Sequence, residues 1–337
     1  MSMRLPRLSL AAALLCIAAA LPARAQTPEP PSTRVLTRES VLARFADADS
    51  RFIEVDGVKL HYKDQGSGPA LLLVHGTMGD LGDWDGWTAL LSRRYRVIRF
   101  DIPGFGLSGP IASGNYSTDR IGSLIDGFMD QLGAERFAIA GISYGGLITF
   151  RYAATRTDRI TALILANSAG IETGRPAAPA TPSSAASAAA ATANIFFSEV
   201  ITAADVEGNL RHMLADHSLV RPQLVQRKLA FINTVGRGEE SRVSRRQYER
   251  GDPLRVLAHV KAPALVLWGG ANKALSTQTS EAFANAMKNA CFVERKVFPE
   301  AGHMLIIDKA QQTVGDAQSF LDRVTAGAAC RTAADKR

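Results

Sequence analysis

The most constraining feature of this sequence is a series of short, continuous apolar runs that alternate with stretches of helical periodicity. An apolar run without polar alternation predicts a strand buried on both faces, as in parallel sheets that helices cover on each side. An N-terminal hairpin, turned at Asp56–Gly57, adds two further strands. The predicted strands are residues 51–58, 59–65, 70–74, 96–100, 137–140, 162–166, 264–268 and 292–298, and the predicted helices are 87–91, 121–132, 144–154, 279–287 and 311–324. The expected fold class is α/β, with a mostly parallel eight-stranded sheet flanked by helices.

The rhythm of strand and helix is interrupted between residues 168 and 261, where no sheet strand is evident. Helical segments are predicted at 203–214, 222–235 and 241–248, after an alanine-rich run that we interpret as a tether. We therefore predict a helical lid at 168–261, inserted into a core formed by 51–167 and 262–327. Residues 26–50 are expected to form a leader and a short helix, and 328–337 a C-terminal tail.

The N-terminus has the pattern of a secretory signal peptide. Arg4 and Arg7 precede a short apolar run at 8–21, and Ala23 and Ala25 supply the small residues that a signal peptidase requires. We expect cleavage after Ala25 and an exported protein, periplasmic or secreted, with no stable membrane insertion once the signal is removed. An uncleaved anchor is the alternative.

Charge and composition limit the expected partners. The formal net charge is +7, but Arg4, Arg7 and Arg24 lie in the predicted signal peptide and the remaining basic residues are scattered. Nucleic-acid binding is therefore not expected. No cofactor or metal is expected either, because the sequence has no phosphate-binding glycine loop after its first strand and no paired His or Cys ligands. The expected partner is a small molecule.

The strongest chemical motif is Gly141-Ile142-Ser143-Tyr144-Gly145, between a predicted strand and a predicted helix. A sharp turn at this place lifts a serine hydroxyl above the sheet, and the flanking glycines relieve the crowding of that turn. The motif predicts Ser143 as a nucleophile; the alternative is a serine that caps the helix.

Two further motifs follow strand ends. After Val74, the segment His75-Gly76-Thr77 forms a loop that can aim the backbone N–H of Thr77, together with that of Tyr144, at a developing oxyanion. After the last strand, Gly302-His303 places a histidine where it can take the serine proton and return it to a leaving group. We predict Thr77 and Tyr144 as oxyanion donors and His303 as the general base.

Taken together, the motifs Val74-His75-Gly76, Asp101-Ile102-Pro103-Gly104, Gly141-Ile142-Ser143-Tyr144-Gly145, Leu267-Trp268-Gly269 and Gly302-His303 resemble those of the α/β-hydrolase fold superfamily. More closely, the sequence resembles the capped branch of serine hydrolases, which holds esterases, lactonases and carbon–carbon bond hydrolases. The resemblance covers about residues 50–326 and implies a serine hydrolase without a cofactor, acting on a small acyl substrate. A carboxylic ester is the expected substrate class, with carbon–carbon bond hydrolysis as the alternative.

The expected triad acid is missing from the sequence. Family members place an aspartate shortly after Leu267-Trp268-Gly269, where this chain has Asn272, and some relatives place it after the sixth strand, where this chain has Asn167. An amide can orient an imidazole but carries no charge to stabilise the imidazolium, and the same exchange slows a serine protease roughly 10⁴-fold. Three alternatives remain: Glu172 as a displaced acid, Asn272 in a weakened triad, or a non-catalytic binding protein that retains the hydrolase fold.

Two cysteines, Cys291 and Cys330, remain after the predicted cleavage. One precedes the last strand and the other follows the last helix, which runs back toward the same edge of the sheet. A disulfide bond between them is compatible with an oxidising compartment.

Overall fold

The computed structural model describes residues 36–171, 201–237 and 251–327, all of which lie within one compact unit, Thr33–Arg337. Several predictions fall outside the described residues. They concern the signal peptide, the alanine-rich tether, the helix at 241–248, Glu172 and Cys330.

The predicted sheet is confirmed. Its eight strands lie in the order β1-β2-β4-β3-β5-β6-β7-β8. Strand β2 is antiparallel to both of its neighbours, β1 and β4, and all other neighbouring strands are parallel. The strands are β1 Arg51–Val55, β2 Val58–Gln65, β3 Ala70–Val74, β4 Arg96–Phe100, β5 Phe137–Ile142, β6 Ile160–Ala166, β7 Ala264–Gly269 and β8 Val293–Phe298. Because the parallel strands share one direction, the residues that follow β3, β5, β6, β7 and β8 meet at one edge of the sheet.

The helices cover both faces of this sheet. They are α1 Arg38–Phe45, α2 Asp85–Leu91, α3 Thr118–Gln131, α4 Tyr144–Thr155, α5 Ala203–Met213, α6 Pro222–Ile232, α7 Pro253–Leu257, α8 Thr277–Ala286, α9 Leu305–Asp308 and α10 Ala310–Thr325. Short 3₁₀ turns at Leu81–Trp84 and His217–Leu219 complete the described elements. Among these helices, none combines the length and apolarity that crossing a bilayer requires.

Burial on both faces explains why the central strands have continuous apolar sequences. Alternate residues of one strand enter opposite layers: Leu72 and Val74 belong to the apolar cluster on one face, whereas Leu71 and Leu73 belong to the cluster on the other. All four are fully buried, so neither face of β3 tolerates a polar side chain. β8 departs from this pattern, because it lies at the sheet edge and two of its residues are exposed.

The described part of the predicted lid, residues 201–237, consists of α5, a 3₁₀ turn and α6. It has a small apolar cluster of its own, centred on Ile201, Val206 and Leu210 of the first half and Leu229 of the second. The N-terminal segment joins it: Phe45 of α1 stacks against Phe231 with ring centroids 5.1 Å apart. The backbone of Leu36 also bonds to both Asn233 and Val235.

Four short elements were not predicted from the sequence pattern. They are α7, α9 and the 3₁₀ turns at Leu81–Trp84 and His217–Leu219, each of five residues or fewer, which is too short for helical periodicity to become visible. Cys291 is disulfide-bonded; the pairing with Cys330 stays a prediction.

Candidate active site

Ser143 occupies a strained turn between β5 and α4. Its backbone has φ 53° and ψ −119°, a conformation that non-glycine residues rarely adopt. The turn is fixed on both sides: the Ser143 N–H donates to Ala166 O over 3.1 Å, and the Ser143 carbonyl accepts from Ala169 and Leu147. Strain held by surrounding hydrogen bonds is a feature of sites where a side chain must project from the fold.

The loop after β3 packs directly against this serine. A Cβ atom placed on Gly76 would lie 3.0 Å from Ser143 Cβ and 3.7 Å from its Oγ. The start of α4 approaches the same loop closely, since a Cβ on Gly145 would meet the carbonyl oxygens of Val74 and His75 at 2.3 and 2.4 Å. Any side chain at position 145 would therefore push apart the two segments that carry the predicted oxyanion donors, Thr77 and Tyr144.

His75 has a structural role beneath the oxyanion loop. It is fully buried, its Nδ1 lies 2.8 Å from Gly76 O, and its Nε2 accepts from the Ile102 N–H over 2.9 Å. These contacts require a neutral ring with the proton on Nδ1. They hold the oxyanion loop against the segment after β4 and leave His75 no free nitrogen for proton transfer.

Asn167 connects the serine turn to the histidine loop. It is fully buried at the end of β6, with φ 40°. Its Nδ2 donates to Gly302 O over 3.0 Å and to His303 O over 2.6 Å, and its Oδ1 accepts from Gly269 N over 3.0 Å. Since the preceding Ala166 carbonyl holds Ser143, the dipeptide Ala166–Asn167 fixes the backbone of both predicted catalytic residues.

This arrangement assigns Asn167 a different role from a triad member. Its amide group bonds to backbone atoms of the β7 and β8 loops and not to the imidazole. The sequence identified the position as an acid slot, but its partners lie 102 to 136 residues away in the chain, and no local pattern reveals them.

The imidazole of His303 is buried and short of partners. The residue is 4% exposed, and among the described residues no group forms a hydrogen bond with Nδ1. Burial, followed by the nearby His212, lowers the pKa of His303 to about 4. The ring is therefore neutral at physiological pH and able to accept a proton.

Asn272, the other acid slot, also makes no hydrogen bond to His303. Its Oδ1 accepts from Ala274 N over 2.9 Å and from Leu275 N over 3.2 Å, which closes a turn within its own loop. Its Nδ2 is buried and has no partner among the described residues. The weakened Ser-His-Asn triad is thus not assembled in this structure.

The lid segment is tied to the oxyanion loop by buried charges. Lys228 of α6 is 4% exposed, and its Nζ lies 2.8 Å from Asp80 Oδ2 and 2.6 Å from Asp83 Oδ1. Arg227 reaches Asp80 Oδ1 at 2.6 Å. Burial alone would raise the pKa of Asp80, but Lys228 and Arg227 hold it well below its usual range. Met78, beside Thr77 in the oxyanion loop, packs against the apolar cluster of the lid segment.

The lid segment also touches the histidine loop. Met304 N donates to Met213 O over 3.1 Å, and Asp308 accepts from the Ala215 N–H and from Gly302 N. This contact brings His212, the neighbour of Met213, close enough to His303 to lower its pKa. No pattern in the sequence indicates this contact of His212, because the predicted lid contains no motif that shows how it packs.

Asp101 braces the loop after β4 through both of its carboxylate oxygens. Its Oδ1 accepts from Leu81 N and its Oδ2 from Leu107 N, both over 2.7 Å, while His61 bonds to Oδ2 at the same distance. Within the described ranges, no group of three or more His, Cys, Asp or Glu side chains is placed to hold a metal ion.

Comparison with known proteins agrees with this geometry. The α/β-hydrolase fold family matches residues 69–310, most of the chain and nearly all of the core that carries the site. The chain belongs to this family. The predicted resemblance to the α/β-hydrolase fold superfamily is thereby confirmed, and hydrolysis is the reaction class that the family and its relatives support.

Two curated relatives and one solved structure illustrate the range of this α/β hydrolase's neighbours. The acetyltransferase component of the acetoin cleaving system of Cupriavidus necator is 28% identical, over 79% of this chain and 67% of that protein. A 2-hydroxy-6-oxononadienedioate/2-hydroxy-6-oxononatrienedioate hydrolase of Burkholderia vietnamiensis is 27% identical, over 82% and 96%. The enol-lactonase of Burkholderia xenovorans is 25% identical, with a TM-score of 0.64 over 81% of this chain and all of that one.

Proposed function

We propose that this α/β hydrolase cleaves a carboxylic ester or a related acyl bond through a covalent acyl-enzyme. The observation that carries the proposal is the strained turn at Ser143, which places a hydroxyl next to the Gly76 loop. Such a turn serves little purpose in a fold that does not use its serine, because strain of this kind costs free energy.

In the proposed mechanism, Ser143 Oγ attacks the acyl carbon and His303 accepts the serine proton through Nε2. The backbone N–H groups of Thr77 and Tyr144 donate to the oxyanion that forms on the acyl oxygen. His303 then gives the proton to the leaving alcohol, and water hydrolyses the acyl-enzyme by the reverse sequence of proton transfers.

Two alternatives have observations in their favour. The hydrolase of Burkholderia vietnamiensis, by its name, acts on a dienedioate, which favours carbon–carbon bond hydrolysis in a vinylogous diketone by similar parts. The amides at both acid slots, Asn167 and Asn272, favour a binding protein that has lost catalysis.

Covalent labelling with a fluorophosphonate separates the enzymatic proposals from the binding protein. We expect stoichiometric phosphonylation of Ser143, identified by peptide mass spectrometry, and none in the Ser143→Ala variant. Absence of labelling in the folded wild-type chain would refute an activated nucleophile and favour the binding protein.

Substrate panels then distinguish the two enzymatic alternatives. We expect turnover of p-nitrophenyl esters, with the preferred acyl length given by a series from acetate to palmitate. Turnover of a vinylogous diketone with little ester hydrolysis would replace the ester proposal by carbon–carbon bond hydrolysis.

We also propose that the protein is exported to the periplasm or secreted. The support is the sequence pattern of residues 1–25, in which two arginines precede an apolar run and a small-residue cleavage site. N-terminal sequencing of protein from a periplasmic fraction should begin at Gln26. A chain that retains Met1 in the membrane fraction would indicate an uncleaved anchor instead.

A further inference from the structure

The loops that follow β7 and β8 lie against each other at the edge of the sheet that carries Ser143. Gly270 N donates to Phe298 O over 2.7 Å, and Ala271 N donates to Ala301 O over 3.0 Å. Asn272 therefore directly follows a residue that is bonded to the segment two positions before His303. Asn272 and His303 therefore lie on two loops that are hydrogen-bonded to each other.

Each of these loops presents a buried nitrogen without a partner. Nδ1 of His303 and Nδ2 of Asn272 are inaccessible to solvent, and neither bonds to any group of the described residues. Buried polar groups are nearly always hydrogen-bonded, so two unpaired nitrogens on adjacent loops are an uncommon feature that points to a ligand. Both can act as hydrogen-bond donors, and their natural counterpart is an acceptor such as a carboxylate oxygen.

Two side chains near these nitrogens, one of them charged, also favour an anion. Lys273 follows Asn272 directly, and His212 lies at the end of α5, next to the residue that bonds to the His303 loop. Both acids on that segment are already engaged. Asp308 accepts from the backbone N–H groups of Gly302, Ala215 and Asp216, and the exposed Glu300 pairs with Lys309 at 3.2 Å. Lys273 is thus a cation next to this pair of loops, whereas His212, whose pKa is lowered by burial and by Lys273, is neutral at physiological pH and offers a hydrogen-bond donor.

We propose that a carboxylate from outside the chain binds between His303, Asn272, His212 and Lys273 and acts as the third member of the catalytic triad. This inference rests on the proposed function, since it assigns a role to the anion in the Ser143–His303 reaction. The carboxylate is either a free ion or a group on the substrate itself.

The proposed anion would supply what His303 lacks without a triad acid, namely a fixed tautomer and a charge that stabilises the imidazolium. It accepts a hydrogen bond from the Nδ1–H group of His303 and so favours the tautomer whose Nε2 lone pair faces the serine. When the Ser143 proton moves to Nε2, the anion stabilises the imidazolium, and the same proton then leaves with the alcohol. The carboxylate itself gains no proton, so every atom and charge in the cycle is accounted for.

Acetate is the probe for a free carboxylate. Hydrolysis of p-nitrophenyl butyrate is measured while acetate replaces chloride at constant ionic strength. We expect a saturable rise in kcat of about tenfold or more, because loss of the acid slows a serine protease roughly 10⁴-fold. A flat response to acetate, together with a flat response to the carboxylated ester described next, overturns the inference.

A paired substrate tests a carboxylate carried by the substrate. The mono-p-nitrophenyl ester of adipic acid is compared with p-nitrophenyl hexanoate, which has the same chain length and no second carboxylate. A substrate-borne anion predicts a higher kcat/KM for the adipate ester and no further gain from acetate. A free anion predicts the opposite, an acetate effect on both esters.

Three variants locate the effect. Asn272→Asp supplies a carboxylate from the chain itself and is expected to be faster than wild type without acetate and insensitive to it. Lys273→Gln is expected to raise the acetate concentration needed for half-saturation. Lys288→Gln, the matched control, removes an exposed lysine from the loop before β8 at the opposite edge of the sheet and should keep the wild-type acetate response.

Two readouts separate failure of this inference from failure of the proposed function. If fluorophosphonate labels Ser143 but no carboxylate accelerates turnover, the inference is wrong and the hydrolase proposal stands. If labelling fails, the hydrolase proposal is wrong, and acetate binding is still measured by the ¹⁵N resonances of His303, assigned with His303→Gln. A Glu172→Gln variant that loses the acetate-independent activity would identify an acid within the chain and would also overturn the inference.

Discussion

Asn167 shows how much one buried amide can determine in this site. It donates two hydrogen bonds to the Gly302–His303 backbone and accepts one from Gly269, so a single side chain joins the ends of β6, β7 and the loop after β8. The two carbonyl partners require a donor at this position, which an amide provides and a carboxylate does not. Asn167 is therefore a positioning residue for His303, and its amide has a structural function that a carboxylate could not perform.

Exchange of this amide for a carboxylate tests the assignment. Asn167→Asp places oxygen atoms against two buried carbonyls, and each buried acceptor left unpaired costs about 1–3 kcal/mol of folding free energy. Displacement of His303 by about 1 Å would lower kcat on the order of 10²-fold, with little change in KM. The measurements are urea unfolding and steady-state ester hydrolysis.

The control for this exchange is Asn289→Asp. Asn289 is exposed and donates to Ala258 O over 2.7 Å, away from the site, so its exchange should leave kcat within about twofold because surface changes are energetically small. A kcat of Asn167→Asp at or above the wild-type value would mean that the new carboxylate works as the triad acid and that the positioning role is wrong.

The sequence predicts Ser143 and His303 but not the residues that hold them. Both follow apolar runs, and the carboxyl ends of parallel strands meet at one edge, so strand direction alone brings them to the same edge of the sheet. The contacts of Asn167 and the approach of His212 depend on how distant loops pack. They have no local periodicity, and His212 lies in a segment whose packing no motif indicates.

At the scale of elements, the predicted lid segment, residues 201–237, is tied to the oxyanion loop. Helix α6 inserts Lys228 between Asp80 and Asp83, directly after the oxyanion loop, and Met78 of that loop packs into the lid cluster. Burial alone would lower the pKa of Lys228, but the two carboxylates raise it above its usual range. The lid and the oxyanion loop are therefore expected to move as one unit.

Lys228→Met tests this coupling. Removal of one partner from a buried ion pair leaves uncompensated buried charge and should lower the free energy of unfolding by about 3 kcal/mol. Loosening of the oxyanion loop should also reduce kcat, by about tenfold on the scale that one oxyanion donor contributes. Chemical denaturation and ester kinetics measure the two effects.

An exposed ion pair on the same lid segment provides the comparison. Arg211 and Glu207 of α5 lie 2.8 Å apart with nearly half of each side chain exposed, and Arg211→Met should change stability by less than about 0.5 kcal/mol. If Lys228→Met is as mild as Arg211→Met, the buried network does not couple the lid to the loop.

Strands and helices were predicted best where their packing imposes a local pattern of apolar residues on the sequence. The strand at 70–74 is found as β3 Ala70–Val74, because both of its faces must be apolar. The strand expected at 137–140 continues to Ile142, since Gly141 and Ile142 still pair with β6 although they belong to the serine motif. The edge strand β8 is exposed at two positions, and its start was predicted one residue early.

For the molecule as a whole, the buried site makes folding stability depend on pH. Burial lowers the pKa of His303 from 6.5 to about 4, so between these values the unfolded chain binds a proton that the folded chain does not. Stability is therefore retained above pH 6.5 and declines as the pH falls toward 4, by about 3 kcal/mol in total from this group. Asp80 and Asp101, whose pKa values are lowered by their partners, add their losses only below the usual carboxyl range.

His303→Gln isolates the contribution of the histidine, because glutamine does not titrate while Asp80, Asp83 and Asp101 remain in place. The free energy of unfolding of both proteins is measured in urea at intervals from pH 7.5 to 4. Wild type should lose about 3 kcal/mol more than the variant across this range, with the steepest difference between pH 6 and 4.5. Parallel curves for the two proteins would mean that His303 is protonated as readily in the folded chain as in the unfolded one. The catalytic proposal would then lose its support, because it requires His303 to be a neutral, buried base that can accept the Ser143 proton near neutral pH.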